Sequence, residues 1–149
     1  MEFWFGKRIS LVDKVIEKAK EMGGGIELTC CTFEMPQAAG VKLNRAVDEG
    51  ILSHVTVYME GGHRRKKNWV QAMIRMGWTI YNIPMHAKVA ILEKPGRNDD
   101  IYVFLSSNNW QAGGNHEFIE LIEDYSACMV VKLSMLDALK DLKPVEPMA

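Results

Sequence analysis

With 149 residues the chain has the length of one domain, enough to bury a real core but too little for two independent ones. Lys and Arg number 18 against 19 Asp and Glu, a formal net charge of −1, which excludes any global attraction to nucleic acid or an anionic membrane, so a basic surface has to be local. No apolar run approaches the roughly 18 residues of a membrane span, the first residues carry no basic leader pattern, and three Cys cannot close a disulfide framework. A soluble, unexported, cytoplasmic protein with reduced, buried thiols is expected, and its scattered Met residues are expected to fill gaps in the core.

The first element is a short aromatic strand, Phe3 to Phe5. Ser10 is a plausible N-cap, and Leu11, Val12, Val15, Ile16, Ala19 and Met22 recur at helical spacing until Gly23 to Gly25 stop the helix. Ile26 to Phe33 is apolar, β-branched and free of breakers, as a strand buried on both faces would be. Pro36 opens a second helix that runs to about Glu49, and Val55 to Met59 forms the next strand. A third helix is expected from about Arg64 to Met76. Strands alternating with helices of this length imply an α/β fold with a mixed, largely parallel central sheet flanked by helices on both faces.

From Trp78 the texture changes to closely spaced strands: Trp78 to Ile83, Met85 to Leu92, Ile101 to Ser106 and Phe118 to Glu123, with a further strand at Ala127 to Val131. Pro95 to Asp100 is rich in turn formers and marks a hairpin loop. A final helix is expected over Ser134 to Leu142. The domain is read as residues 1–143, with a frayed tail from Pro144 to Ala149. There is no internal repeat and no low-complexity segment.

The chemistry concentrates between His86 and Glu117. On a strand, His86 and Lys88 would leave the same face about 7 Å apart along the chain. Two such groups on an otherwise buried strand are costly unless the site binds something anionic. The next strand runs into Ser106-Ser107-Asn108-Asn109-Trp110, and Asn115-His116-Glu117 follows a Gly-Gly turn. These residues resemble the phospholipase D superfamily, whose motif is His-x-Lys, a following Asp, Gly-Ser-x-Asn and a later Asn-x-Glu. The matching residues are His86, Lys88, Ser107, Asn109, Asn115 and Glu117. Glu93 stands where that family has Asp, Ser106 stands where it has Gly, and the loop from Lys94 to Asp100 lengthens the gap before Ser107. Ser106 is tolerable only where the backbone does not need a positive φ. The order of elements also resembles a single-motif half of that superfamily.

The resemblance implies a phosphodiesterase working through a covalent phosphohistidine. Lys88, Ser107 and Asn109 are donors suited to the phosphate oxygens, with Asn115 beside them. Neutral imidazole is a competent nucleophile near pH 7, and a second, protonated imidazole can release the leaving alcohol. One motif supplies only one imidazole, so the resemblance implies a homodimer whose two copies of His86 face each other. Glu117 would orient the His86 ring. No metal and no cofactor are required, and His54, His63 and His116 lack ligand-like spacing.

His63 to Trp69 holds the one strong charge run, with Arg64, Arg65, Lys66 and Lys67 where a helix begins. Cations there oppose the helix macrodipole, so they do not serve helix stability. A solvated face is the common fate of such a run, but this one also suits a nucleic-acid backbone, with Trp69 available for stacking. Trp110 is another candidate platform, or else a core or interface residue. The leading expectation is therefore a metal-independent nuclease acting on DNA or RNA. A lipid phosphodiesterase or phosphatidyltransferase would use the same residues but needs an apolar anchor or an amphipathic membrane helix, and neither is expected here. A catalytically silent nucleic-acid-binding dimer is the alternative from another class.

Overall fold

A computed structural model describes residues 1–60, 64–110 and 113–148, with the backbone alone for 64–67. In chain order the elements are β1 (Glu2–Gly6), α1 (Leu11–Glu21), β2 (Ile26–Thr32), α2 (Gln37–Asp48), β3 (Leu52–Met59) and α3 (Arg64–Arg75). They continue with β4 (Thr79–Asn82), β5 (Val89–Glu93), β6 (Ile101–Ser106), β7 (Glu117–Ile122) and α4 (Tyr125–Ala138). The local causes are those that the residue spacing suggests. Ser10 caps α1 by accepting from the Asp13 amide at 3.2 Å, and Gly23, at φ 94°, follows the helix end. Pro36 holds the N-cap of α2 in an extended conformation.

The strands form one seven-stranded mixed sheet in the order β1-β7-β6-β5-β2-β3-β4. The pairings β2-β3 and β3-β4 are parallel, and the other four are antiparallel. The parallel share is smaller than strand–helix alternation implies, because β1 crosses to the far edge beside β7 instead of joining β2. Helices α1, α2 and α3 cover one face, where Leu11, Leu43 and Met73 share the main core with Leu28, Val57 and Phe104. On the other face α4 packs Cys128 against Ile91, Ile101 and Val103.

Two sequence expectations fail in the second half. Residues 127–131 belong to α4 and not to a strand, and the expected helix from Ser134 is the C-terminal half of that same element. A β-branched apolar run is ambiguous between strand and helix. Here Asp124 caps a helix by accepting from the Ala127 amide at 2.9 Å, and Cys128, Lys132 and Met135 meet the sheet at helical spacing. The tail is also held: the Val145 amide donates to the Ile80 carbonyl at 2.7 Å, and the buried Gln71 side chain bonds the Glu146 carbonyl and the Met148 amide at 3.1 and 2.9 Å. A buried amide needs such partners, and the tail backbone supplies them.

Cys30, Cys31 and Cys128 are free and buried, and burial pushes the Cys31 thiol up to about 12. No helix among the described residues is long and apolar enough to cross a membrane.

Candidate active site

The strand register gathers the motif at one end of the sheet. Cys31 at the end of β2 pairs with Val89 at the start of β5, Val89 pairs with Leu105 near the end of β6, and Ser106 pairs with Ile119 near the start of β7. Thr32 and Phe33, His86 and Lys88, Ser106 to Asn109, and Glu117 are thus brought together from four neighbouring strands. Because β3 runs parallel to β2, the start of α3 also falls on this side of the sheet.

His86 and Lys88 do not share a strand face as the sequence suggests. Strand β5 begins at Val89, and residues 83–88 form an irregular approach to it. Only the Lys88 carbonyl extends the ladder, accepting from the Ser106 amide at 3.1 Å. The exposed His86 ring instead lies on Phe33, with centroids 5.8 Å apart and planes 7° from parallel. Phe33 is a site residue that sequence reasoning missed. Its signal is its position just past the carboxyl end of a parallel strand, where ligand crevices form in open α/β sheets.

Ser107 is committed to Glu117. Its hydroxyl donates to Glu117 Oε2 at 2.7 Å and accepts from the Phe118 amide at 3.0 Å. A hydroxyl has one proton to give, so in this arrangement Ser107 orients the carboxylate and does not donate to a phosphate. No hydrogen bond joins Glu117 to His86 among the described residues, so the arrangement lacks the tautomer-fixing contact that the resemblance implies.

Ser106, the residue in place of Gly, is accommodated and used. Its φ is not positive, and its buried hydroxyl accepts from the Asn108 amide at 2.8 Å and donates to the Phe118 carbonyl at 3.1 Å. Asn108 in turn donates to the Ile9 carbonyl at 3.1 Å, fastening this loop to the approach to α1. Thr32 Oγ1 donates to the Glu34 carbonyl at 2.6 Å and stands 3.4 Å from the Asn109 side-chain oxygen. Asn109 and Lys88 are half-buried and Asn115 is exposed. At the opposite end of β5, Glu93 pairs with Lys132 of α4 at 2.6 Å, a contact that ties the helix to the sheet.

Neither Trp is a free platform. Trp110 is 3% exposed within the main core, so its ring faces are closed to a base. Trp69 is half-buried, donates from Nε1 to the Met35 carbonyl at 3.3 Å, and lies so close to Gly40 that a Cβ there would meet Trp69 Cζ2 at 2.1 Å. Its role is the contact between α2 and α3. The backbone of Arg64, Arg65, Lys66 and Lys67 starts α3 as expected, and their side chains lie outside the described residues.

No protein-family model matches the chain, and no curated protein is detectably similar to it. Solved structures are. Nuc from Salmonella typhimurium, described as a phospholipase D family member, superposes with a TM-score of 0.69 at 16% identity over 97% of both chains. NucT from Helicobacter pylori gives 0.63 at 14% identity over 97% of this chain and 100% of its own. A phosphatidylserine synthase from Haemophilus influenzae gives 0.59 at 13% identity, with 97% of this chain covering 39% of that one. His86, Lys88, Ser107, Asn109 and Glu117 stand at one end of a sheet that Nuc and NucT match over nearly the whole chain, and the chain has the phospholipase D fold.

Proposed function

We propose that the protein is a metal-independent phosphodiesterase, a nuclease that cleaves nucleic-acid phosphodiester bonds through a covalent phosphohistidine at a site shared by a homodimer. The observation that carries this reading is the convergence of His86, Lys88, Asn109 and the Ser107–Glu117 pair at one end of the sheet. An imidazole nitrogen of His86 attacks phosphorus while Lys88 and Asn109 stabilise the charge on the equatorial oxygens, and Glu117, held by Ser107, accepts from the other ring nitrogen once the substrate draws the site together. The bond to the leaving oxygen breaks as His86 of a second copy, protonated, gives that oxygen its proton. Water then attacks the phosphohistidine, the P–N bond breaks, and the second imidazole takes the water's proton. Both rings return to their starting states.

The shared site is supported by the supply of imidazoles and by α4. Each chain offers one His86, and α4 turns Val130 and Leu133, 66% and 57% exposed, outward with Leu136 one turn on. An apolar stripe of this kind on a surface helix suits burial against a like surface. Nucleic acid is favoured as substrate by the basic run that opens α3 on the site's side of the sheet.

Purified protein incubated with single-stranded and duplex DNA, RNA and phospholipid vesicles, each with and without EDTA, tests this directly. Nucleic acid is expected to be cut equally in both, and His86→Ala to abolish cutting. Cleavage stopped by EDTA would remove the metal-free scheme, and release of lipid headgroup alone would move the protein to lipid chemistry.

A further inference from the structure

We infer that the outer ribbon of the sheet, β1 paired with β7, carries a base-stacking platform for unpaired nucleotides at the end of the sheet that holds the candidate active site, an inference that rests on the nucleic-acid reading of the site. Phe3 and Phe5 alternate along β1, so both leave the same face, while Trp4 between them packs against the main core. Both stand out into solvent, 59% and 68% exposed, on an edge strand, a position that proteins usually protect with charge or bulges. Each is held by a ring from the neighbouring segment. Phe3 stacks on Phe118 with centroids 6.0 Å apart, and Phe5 stacks on His116 at 5.7 Å.

The register carries the ribbon to the end of the sheet that holds the candidate active site. Phe5 pairs with Phe118 and Gly6 with Glu117, so Phe5 stands one residue short of the sheet end where Ser107 holds the Glu117 carboxylate, the ring on the α4 face and the carboxylate on the face of Trp4. Charge distinguishes the two ends. Lys7 and Arg8 are exposed and follow Phe5 directly, and the Arg8 amide, at a φ of 57°, is fixed on the Gly113 carbonyl at 3.0 Å. Phe3 by contrast faces Glu120 across the ribbon. A nucleotide strand would therefore meet cations and an open ring at the Phe5 end, the site's end of the sheet, with Phe3 as an outer step. Single-stranded nucleic acid fits this combination because its bases have free faces and its backbone is anionic. A duplex keeps its bases stacked inside. An apolar protein partner would match the rings but leave the two cations without counterpart.

Fluorescence anisotropy in a His86→Ala background, which removes cutting, compares a short single-stranded DNA with an abasic oligomer of equal length and with the duplex. The base-bearing single strand is expected to bind on the order of tenfold tighter than the abasic one. Phe5→Ala is expected to bring that ratio close to one by weakening the base-bearing strand alone, and Phe5→Tyr to keep the ratio. Lys7→Ala with Arg8→Ala is expected to weaken both strands equally and to flatten the salt dependence. A ratio unchanged by Phe5→Ala, or a Phe5→Ala protein that sediments as a smaller species, overturns the platform in favour of a plain surface or a contact between copies. If the base-dependent ratio is present while the unaltered protein cuts no nucleic acid, the platform stands and the nuclease reading falls. Cutting without a base-dependent ratio overturns the platform alone.

Discussion

Ser107 Oγ sits between the Glu117 carboxylate and the Phe118 amide, so a single hydroxyl fixes the carboxylate against the start of β7. Removing a hydrogen bond to a charged group is worth about 1.5–3 kcal/mol, or roughly a 10- to 100-fold change in rate where that group acts in the transition state. Ser107→Ala is therefore expected to lower kcat for nucleic-acid cleavage by about that factor with little change in KM. Because Ser107 acts through Glu117, Ser107→Ala combined with Glu117→Gln is expected to cost no more than the worse single change. Factors that multiply in steady-state kinetics would make the two residues independent. The residue types gathered at this end of the sheet were legible in the sequence, since His86, Lys88, Asn109 and Glu117 follow one another in the order of the motif they resemble. Their partnerships were not. That Phe33 supports the His86 ring, that Ser107 gives its proton to Glu117, and that Trp110 is buried are consequences of strand register and packing.

The contact between α2 and α3 turns on the absence of one Cβ. Gly40 lies on the buried side of α2, and the Trp69 ring occupies the space that a side chain there would take. The tryptophan is also tied to the Met35 carbonyl, so it cannot swing away without breaking that bond. Gly40→Ala is expected to destabilise the fold by about 1–3 kcal/mol, outweighing the gain in helix propensity of about 1 kcal/mol that alanine brings. For a domain of this size each kcal/mol lowers Tm by roughly 2–4 °C, which thermal unfolding followed by circular dichroism measures. A Gly40→Ala protein that melts higher would show that the ring has room to move. At this scale the sequence was most legible where capping and breakers agree, as in α1 and α2. It was least legible at α4, whose first half reads equally well as a strand. What decides there is the apolar face of β5 and β6, which needs a cover, and the Lys132–Glu93 pair that anchors it.

At the scale of the whole molecule, among the described residues, one side of the sheet is closed by three helices and the other by α4, with the outward stripe of α4 open to solvent. A shared site makes a quantitative demand on such a molecule. Let the unaltered chain be mixed with His86→Ala chain, unfolded together and refolded so that copies pair at random. If each dimer holds one site that needs both imidazoles, only pairs of unaltered chains cut, and activity follows the square of the unaltered fraction. An equal mixture then retains about a quarter of the full rate, whereas independent sites retain about half. The curve is measured with one oligonucleotide at saturating concentration, and a straight line sinks the shared site. Leu133→Glu supplies the complementary arm, because a charge in the apolar stripe cannot be buried against a second copy without a large desolvation cost. That variant is expected to sediment as a monomer with an unchanged circular dichroism spectrum and to lose cleavage, since the residue lies on the far side of α4 from the core and removes nothing from the motif itself. A folded monomer that still cuts at the full rate would place both proton-handling groups within one chain and return the search for the general acid to the residues around His86.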